Sequence, residues 1–446
     1  MSRGAYRAFI LLVGDVLLLW AGLLAALFVR YGSDQFSREL PIHIFPFSIV
    51  FALWIVLFYI SGLYEIRTTS DYQRTLKIAA SSMLAGGIIA MALFYFVDAF
   101  TITPKTNLIM TVGFTTVFII AWRSFFASAS KHTSKIRIAL LGSSPDIEEL
   151  ASTIEAYPQL GYAIAARLPT IDEKILGLIT ERNVDIVVAP KEVQSNNVLV
   201  QTLYEALHRR IRLIDASIFY EQILGKIPVS LISKVWFLEN LAETEQAFFE
   251  AFKRVFDVIL AALLGILMVV LFMPTALAIK LNSPGPIFIK QKRVGRYGKN
   301  FTLVKYRTML ALGPGGLAET QGAEWSQKND ARITGIGKFL RGTRLDELPQ
   351  VWNILKGELS FIGPRPERPE FVEHLRNDIP FYDMRHLVRP GLSGWAQINP
   401  PYYYASKEET ILKLQYDLYY IKNRDLGLDL AIALKTLMVI LSQQGR

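Results

Sequence analysis

Four long apolar runs in the first third of the chain constrain the fold more than any other feature of this sequence. They cover residues 8–29, 44–63, 78–97 and 107–122, the last with an extension to residue 127. Each approaches the roughly 20 residues that an α-helix needs to cross a bilayer. The first run is too long for a cleavable signal peptide, and three similar runs follow it. The sequence therefore predicts a four-helix transmembrane domain over residues 1–130.

Basic residues beside these runs predict how the helices are oriented. They cluster before the first run, between the second and third, and after the fourth: Arg3, Arg7, Arg67, Arg74, Lys77, Arg123, Lys131, Lys135 and Arg137. By the positive-inside rule, the amino terminus and the chain after the fourth helix face the cytoplasm. Asp15, inside the first run, is expected to pair with a group on a neighbouring helix, the alternative being a functional intramembrane charge.

Composition narrows the chemistry that the chain can perform. The 446 residues are 52% hydrophobic with a formal net charge of +9, and they include no cysteine and five scattered histidines. Disulfides, thiolate zinc sites and cysteine nucleophiles are excluded. Any metal must be bound by oxygen atoms, which favours Mg²⁺ or Mn²⁺. The excess of positive charge is assigned to membrane lipids and phosphate-bearing substrates, and no nucleic acid is expected as a partner.

Residues 135–241 have the pattern of a Rossmann-like cytoplasmic domain. Short apolar strands, "IRIALLG", "VDIVVAP" and "IRLID", alternate with the helical patterns "PDIEELASTIEAY" and "VLVQTLYEALHRR". This alternation predicts a parallel sheet with crossover helices. The first turn reads Gly142, Ser143, Ser144, Pro145, Asp146, which lacks two glycines of the dinucleotide fingerprint and adds a carboxylate. A structural or regulatory domain without a dinucleotide is predicted.

A fifth apolar run at residues 255–279 has basic residues at both ends, beginning with Lys253 and Arg254 and ending with Lys280. The positive-inside rule then places both ends in the cytoplasm. Pro274 interrupts the helical hydrogen bonding near the far end and allows a bend. We therefore predict a re-entrant membrane helix over residues 250–281, the alternative being a fifth crossing.

Three ordered motifs follow that run: "NSPGPIFIKQKRVGRYGKNFTLVKYRTM", "NDARITGIGKFLRGTRLDELPQVWNILKGELSFIGPRPERPE" and "VRPGLSGWAQIN". This half of the chain resembles the catalytic part of the bacterial sugar transferases called monotopic phosphoglycosyl transferases. The whole architecture resembles their long form, the polyprenyl-phosphate hexose-1-phosphate transferases. The resemblance implies a fold class of membrane α plus α/β, with a cytoplasmic α/β catalytic domain at residues 282–446 and helices along the membrane interface.

The adjacent carboxylates Asp346 and Glu347 lie between arginines and just before Pro349. If Asp346 caps a helix, Pro349 falls in the first turn, where its missing N–H costs nothing. Arg341, Arg344 and free helix amides would then favour phosphate. The resemblance implies that Asp346 is a catalytic nucleophile and Glu347 a ligand of Mg²⁺. Asp417 is a weaker candidate for assisting the metal.

Further residues are assigned by the same resemblance and by their chemistry. Two prolines hold the backbone of Arg365 nearly rigid, and its planar guanidinium suits phosphate or uracil. "SPGP" predicts a rigid structural turn at the membrane exit. The substrate-binding set comprises Lys305, Arg307, Arg341, Arg344, Arg365, Arg368 and Arg389, and the structural set Pro274, Ser283, Pro284, Gly285 and Pro286.

The function that follows from the resemblance is transfer of a hexose 1-phosphate from a UDP-sugar to undecaprenyl phosphate, with UMP release. UDP-glucose and UDP-galactose are the first expected donors, and an N-acetylhexosamine or a modified sugar is the alternative. This step begins a capsule, exopolysaccharide or O-antigen repeat unit at the bacterial inner membrane, and a homodimer is expected. Two alternatives remain: a membrane-attached nucleotide-sugar dehydratase or epimerase, which needs NAD, and a non-catalytic assembly scaffold. The tyrosine-rich segment after residue 400 predicts an interfacial or packed helix, and residues 310–327 predict a lid or a variable insertion.

Overall fold

The computed structural model divides into two units, Met1–Ala216 and Ser217–Arg446, and each is described by itself. It describes residues 3–64, 72–96, 105–131, 135–169, 181–194, 200–201, 204, 211–241, 247–316, 318, 330–399 and 406–441. The predicted lid at residues 310–327 lies largely outside this range, as does most of the predicted helix at residues 198–210.

The first unit begins with three long helices: α1 (Arg3–Ile60), α2 (Tyr72–Phe96) and α3 (Lys105–Lys131). The first two apolar runs share α1, and the loop expected between them is helical except at Gly32, whose φ of 66° and ψ of −176° suit glycine alone. Among the described residues, four helices are long and apolar enough to cross a membrane: those at Tyr6–Ile60, Thr75–Phe96, Thr106–Ala129 and Ala247–Asn282. The prediction that the four apolar runs are helical is therefore confirmed, and the first two runs lie in one long helix, α1.

A buried ion pair connects these helices. Asp15 on α1 contacts the guanidinium of Arg123 on α3, and the same guanidinium donates to the carbonyl of Leu63 at 2.9 Å. Both charged side chains are almost completely buried. The expectation that Asp15 pairs with a neighbouring helix is confirmed, because an unpaired charge would be costly in an apolar surrounding.

A four-stranded parallel sheet completes the first unit. Its strands are β1 (Ile136–Leu141), β2 (Tyr162–Leu168), β3 (Ile186–Ala189) and β4 (Arg212–Asp215), in the order β2-β1-β3-β4. After β1, Ser144 caps helix α4 (Pro145–Ala156), with Pro145 in the first turn. A short helix α5 (Lys191–Gln194) follows β3. The parallel sheet is confirmed, whereas a complete Rossmann unit is not, since its second crossover is mostly undescribed.

The second unit begins with α6 (Ala216–Leu224) and α7 (Lys234–Asn240), which the sequence had assigned to the preceding domain. Ile227, Trp236 and Phe237 pack in one apolar core with residues from the carboxyl-terminal part of the chain, including Leu418 and Ile432. The indole N–H of Trp395 donates to the carbonyl of Gly225 at 2.8 Å. The boundary expected at residue 241 therefore lies inside a continuous core.

Helix α8 (Ala247–Asn282) is continuous over 36 residues and contains Pro274. Its inner side packs along the second unit, from Asp257, which accepts from the hydroxyl of Ser360 at 3.1 Å, to Ile279 in a core with Tyr306 and Leu340. Its outer side exposes large apolar residues, including Val269 at 75% and Met273 at 72%. The predicted reversal at Pro274 is not confirmed, and a re-entrant arrangement stays a prediction.

The remaining elements of the second unit follow this helix along the chain. They are the antiparallel pair β5 (Phe288–Val294) and β6 (Asn300–Tyr306), helices α9 (Gly335–Gly342) and α10 (Val351–Lys356), the parallel pair β7 (Ser360–Ile362) and β8 (Gly391–Ser393), and helices α11 (Pro369–Asp378), α12 (Trp395–Ile398), α13 (Lys407–Asn423) and α14 (Leu426–Leu441). Helix α13 buries Leu414, Leu418 and Ile421 within the unit. Of the two predictions for this segment, a helix packed in the protein is therefore favoured over a helix that lies along the membrane interface.

Candidate functional site

Asp346 lies in a short 3₁₀ helix, Leu345–Gln350, that leads directly into α10. The expectation that Asp346 caps a helix is wrong. Arg344 occupies the cap position with a left-handed φ of 58° and makes no side-chain cap bond. The 3₁₀ helix begins at Leu345, so Asp346 is its second residue, and Pro349 lies inside it. Its side chain is therefore left without a capping role.

The Asp346 carboxylate is buried, with 8% of the residue exposed. Its Oδ1 atom has no hydrogen-bond partner among the described residues. Burial is the main cause that raises the pKa of this carboxyl, and the neighbouring charge of Glu347 raises it further. Lys305, Arg341 and Arg344 act in the opposite direction. A buried carboxylate oxygen without a partner is costly to maintain, which is typical of functional sites.

Glu347, in contrast, is held by three cations. Arg365 Nη2 donates to its Oε1 at 3.1 Å, Lys305 Nζ lies 3.6 Å from the same oxygen, and Arg344 Nη1 lies 3.4 Å from Oε2. Burial opposes the ionised form, but the charges of Arg365, Lys305 and Arg344 outweigh it and lower the pKa of Glu347. Glu347 therefore stays ionised beside Asp346, and the two carboxylates differ in environment although they are adjacent in sequence.

Lys305 projects from β6 towards both carboxylates. Burial lowers the pKa of its ammonium group to about 8, although Glu347 and Asp346 favour the charged form. The positive charge of Arg341, on α9, lowers the pKa of Asp346. The Nε of Arg341 donates a hydrogen bond to the hydroxyl of Thr308 at 2.9 Å, which fixes its side chain. The structure thus brings together six of the predicted site residues: Asp346, Glu347, Lys305, Arg341, Arg344 and Arg365. Four cations around two carboxylates suit a multiply charged anion such as a diphosphate.

Arg307 has a different place from the one predicted. Its guanidinium is 2% exposed and donates to the carbonyls of Ser283, at 2.8 Å, and Pro284. Gly285 follows with a φ of +125°, and a Cβ there would come within 2.9 Å of Arg307 Nη1. Arg307 therefore fixes the turn from Ser283 to Pro286 at the end of α8. These contacts support the structural role predicted for the turn and leave Arg307 outside the phosphate-facing set.

Arg368 and Arg389 are also engaged elsewhere. Arg368 precedes α11 and lies 3.6 Å from the carboxylate of Glu370. Arg389 lies 3.5 Å from the carboxylate of Glu250, near the start of α8. The contacts described for these two arginines do not include Asp346 or Glu347. A direct role for either one in substrate binding stays a prediction.

One buried cluster near Arg365 was missed by the sequence analysis. Arg385, in the 3₁₀ helix Tyr382–Leu387, donates to the carbonyl of Arg365 at 2.9 Å and lies 2.8 Å from Oδ2 of Asp417. Glu367 pairs with the ammonium group of Lys413 in the same region. Asp417 was weighed as a metal ligand, whereas the structure gives it an arginine partner. The only sequence signal was a set of charged residues inside otherwise apolar segments.

The residues present are compatible with a magnesium ion shared with a substrate. No group of three or more potential ligands among His, Cys, Asp and Glu occurs in the described part of the chain. Mg²⁺ commonly takes one or two protein carboxylates and completes its shell with phosphate oxygens and water. Asp346 Oδ1, which lacks a described partner, and the ionised Glu347 supply such oxygen donors. A metal at this site stays a prediction.

Comparison with known proteins identifies relatives of the second unit. The family model of the bacterial sugar transferases matches residues 248–443. A UDP-N-acetylgalactosamine-undecaprenyl-phosphate N-acetylgalactosaminephosphotransferase from Aeromonas hydrophila is 45% identical over 193 residues, which are 43% of this chain and 44% of the relative. A UDP-glucose:undecaprenyl-phosphate glucose-1-phosphate transferase from Xanthomonas campestris pv. campestris is 38% identical over 198 residues, 44% of this chain and 40% of the relative. The matches therefore span less than half the length of these two relatives.

A shorter relative is matched over most of its length. It is a putative undecaprenyl-phosphate N-acetylgalactosaminyl 1-phosphate transferase from Bacillus subtilis, 46% identical over 138 residues, which are 30% of this chain and 73% of the relative. The region matched by the family model, residues 248–443, includes Asp346, Glu347 and the cations around them. The resemblance inferred from the motifs is confirmed, and the chain belongs to the bacterial sugar transferase family.

Proposed function

We propose that this protein transfers a sugar 1-phosphate from a UDP-sugar to undecaprenyl phosphate and releases UMP. The observation that carries the proposal is the buried Asp346 carboxylate, whose Oδ1 has no partner among the described residues, beside an ionised Glu347 and four cations. The names of the relatives describe transfer of sugar phosphates to the same lipid carrier. Both lines of support favour a phosphoglycosyl transferase over a dehydratase or a scaffold.

In the first half-reaction, an Asp346 oxygen attacks the β-phosphorus of the UDP-sugar. A bond forms between that oxygen and phosphorus, and the bond from the β-phosphorus to the bridging oxygen breaks, so UMP leaves with the electron pair. A phosphosugar remains on the aspartate as an acyl phosphate. A carboxylate is a weak nucleophile towards an anionic diphosphate, so neutralising charge is the main requirement of this step.

In the second half-reaction, a phosphate oxygen of the polyprenyl carrier attacks the same phosphorus. The bond between phosphorus and Asp346 breaks, and the product is a polyprenyl diphosphate sugar with the aspartate regenerated. No external oxidant, reductant or nucleotide is needed. The same carboxylate thus acts as nucleophile and then as leaving group.

The surrounding cations bind and orient the phosphates during both steps. Lys305, Arg341 and Arg344 face the nucleophile, and Arg365 and Lys305 hold Glu347. Glu347 would hold Mg²⁺, which when bound supplies Lewis-acid neutralisation of the diphosphate. Glu347 keeps its own negative charge within this basic site, because the nearby cations lower its pKa.

The apolar helix α8 supports action at a membrane surface. Its outer side exposes large apolar residues while its inner side packs along the unit that carries Asp346. We propose that this helix enters the inner leaflet from the cytoplasmic face of the bacterial inner membrane, where a water-soluble sugar nucleotide meets a lipid phosphate. A homodimer and a role in exopolysaccharide, capsule or O-antigen synthesis are parts of the same proposal.

The test is UMP release by the full-length protein in detergent with Mg²⁺, undecaprenyl phosphate and a panel of UDP-sugars. The panel includes UDP-glucose, UDP-galactose and UDP-N-acetylgalactosamine, because relatives are named for such donors. We expect UMP from one sugar and a loss of at least about 1,000-fold in Asp346→Asn. Radiolabel from the sugar phosphate that hydroxylamine removes, retained by wild-type protein but absent in Asp346→Asn, would mark the covalent step.

Two controls separate the candidate functions. Arg307→Lys keeps the charge at a residue that contacts the turn at Ser283 and Pro284, and it is expected to retain UMP release. Absence of UMP from every sugar, with folded wild-type protein and metal present, would contradict the proposal and favour a scaffold. Bound NAD in purified protein would instead revive the dehydratase hypothesis.

A further inference from the structure

The backbone around Arg365 is held at four consecutive carbonyl groups, from Pro364 to Glu367. Each accepts a hydrogen bond from a residue outside the segment. The donors, in order along the segment, are the Gly391 amide at 2.9 Å, Arg385 Nη2 at 2.9 Å, Arg293 Nη1 at 3.3 Å and the Val294 amide at 2.9 Å. They come from β5, from β8 and from the 3₁₀ helix Tyr382–Leu387. The segment is therefore fixed from several directions.

This fixed segment presents the Arg365 side chain to the candidate site. Pro364 and Pro366 restrict the backbone further by fixing their own φ angles. The guanidinium of Arg365 donates to Glu347 Oε1 at 3.1 Å. A displacement of the Arg365 backbone would consequently move a cation that contacts one of the two adjacent carboxylates.

Arg385 supplies the donor at the carbonyl of Arg365 itself. Arg385 is 3% exposed, and its Nη1 donates to the hydroxyl of Tyr382 at 2.7 Å. Its Nη2 lies 2.8 Å from Oδ2 of Asp417, and its Nη1 lies 3.9 Å from Oε1 of Glu367. The planar guanidinium thus has described contacts on several sides, which fixes its orientation more firmly than one ion pair does.

Asp417 is the main anionic partner of Arg385. It lies on α13, is 1% exposed, and its carboxylate points to a cation that is itself bonded to the Arg365 backbone. A buried acid of this kind near a phosphate site suggests a metal ligand. Its contact with Arg385, however, connects it to the site through Arg365 rather than through a metal.

We propose that Asp417 and Arg385 form a positioning pair that sets the orientation of Arg365 for phosphoryl transfer. The pair touches neither the nucleophile nor, in the proposed reaction, the substrate. Asp417 orients Arg385, Arg385 holds the carbonyl of Arg365, and Arg365 holds Glu347. Catalytic geometry tolerates displacements of only about 0.5 Å, so loss of this support lowers turnover. The inference rests on the proposed function, because it concerns the rate of that reaction.

The test measures kcat and KM for UMP release and the melting temperature in two backgrounds, wild type and Arg365→Ala. In the wild-type background, Arg385→Gln is expected to lower kcat by roughly 10- to 100-fold and to change KM by less than about 3-fold. Arg385→Lys, which keeps the charge, should recover part of kcat. Asp417→Asn should resemble Arg385→Gln more weakly. In the Arg365→Ala background, Arg385→Gln should lower kcat by no more than about 2-fold further.

A structural role alone gives a different result. If Arg385→Gln lowers kcat by the same factor in both backgrounds, the effect does not pass through Arg365 and the proposal is overturned. Unchanged kcat in Arg385→Gln and Asp417→Asn also overturns it. Tyr382→Phe removes one acceptor of Arg385 with little change of volume, and it gives the same test if Arg385→Gln does not fold.

Arg376→Gln is the matched control, because Arg376 pairs with Asp383 nearby but is 56% exposed. It should leave kcat, KM and the melting temperature unchanged. Failure of the proposed function has a distinct signature: wild-type protein would release no UMP from any sugar, and the proposed pair would then have no reaction to support. If the wild-type protein releases UMP and Arg385→Gln has an unchanged kcat, only the proposal of the positioning pair is overturned.

Discussion

Two neighbouring regions of the second unit differ in how their buried charges are balanced. Around Glu367 and Asp417, two acids meet two bases, Lys413 and Arg385, in direct ion pairs. Around Asp346 and Glu347, two acids meet four cations, so positive charge exceeds negative charge in this region. The balanced region suits a fixed structure, whereas the cation-rich one suits the entry of an anionic group. A site for phosphoryl transfer needs both.

The largest expected effect on stability comes from breaking the balanced region. Glu367→Gln removes the carboxylate that pairs with Lys413 and faces Arg385, so both buried cations lose an anionic partner. We expect the free energy of unfolding to fall by about 3 kcal/mol, the usual cost of removing one member of a buried pair. Thermal unfolding of full-length protein in detergent measures it.

Asp346→Asn provides the contrast for that experiment. Burial raises the pKa of Asp346 to about 6, so keeping its carboxylate ionised at neutral pH costs free energy of folding. The amide should therefore leave the melting temperature unchanged or raise it, while UMP release is lost. A lower melting temperature in Asp346→Asn than in Glu367→Gln would contradict the distinction between the two regions.

Acid sensitivity should also distinguish Glu367. The pKa of Glu367 is lowered to about 2, because Lys413 and Arg385 outweigh the effect of burial. Its contribution to stability is present above the ordinary glutamate pKa of 4.5 and is lost as the pH falls from there towards 2. The difference in melting temperature between wild type and Glu367→Gln should shrink across that range, and a constant difference would argue against the ion pairs as its cause.

A pH profile of kcat/KM is expected to show the next largest effect, about tenfold per pH unit outside the optimum. On the acid side, activity should fall as Asp346 becomes protonated, at a higher pH than for an ordinary aspartate, because its pKa is raised. On the alkaline side, activity should fall near the pKa of Lys305, about 8, as that cation loses its charge. UMP release at saturating lipid and varied UDP-sugar measures both limbs.

Lys305→Arg is the control for the alkaline limb. Arginine keeps its charge throughout the accessible range, so the alkaline fall should disappear or move to higher pH even if the overall rate is lower. An unchanged alkaline limb in Lys305→Arg would assign that limb to another group. The acid limb should not move in this variant.

The smallest effect is expected from an ion pair next to the balanced region but exposed to solvent. Arg376 Nε lies 2.7 Å from Asp383 Oδ2, and the two side chains are 56% and 41% exposed. Arg376→Gln should change the free energy of unfolding by less than about 0.5 kcal/mol, because solvent screens exposed pairs. A loss as large as that of Glu367→Gln would mean that burial does not explain the difference between the regions.

The sequence predicted much of the candidate site because its chemistry is carried by local motifs. The motifs alone indicate six site residues, and the structure brings them together: Asp346, Glu347, Lys305, Arg341, Arg344 and Arg365. Arg307 was misassigned because a basic residue just after a strand gives no sign of whether it faces phosphate or nearby carbonyls. The helix cap expected at Asp346 failed because the left-handed Arg344 starts a 3₁₀ turn instead.

The network behind the site was not predictable in this way. Its members are separated in sequence: Glu367, Arg385 and Asp417. The residues next to each of them do not distinguish a buried charged side chain from an ordinary exposed one. Similarly, the segment at residues 217–240 reads as the end of an α/β domain, yet Trp236 and Phe237 pack in the core of the second unit. Long-range packing decided both outcomes.

The sequence by itself determined the apolar helices, the parallel strands after them and the motifs of the family, because hydrophobic periodicity and short motifs act over a few residues. Only the tertiary structure decided which charges became buried partners and left Asp346 Oδ1 without a hydrogen bond from the described residues. The free energy of a buried charge depends on neighbours that folding brings from distant parts of the chain. That dependence makes Asp346 and Asp417, two aspartates on the same unit, candidates for a nucleophile and for a positioning residue.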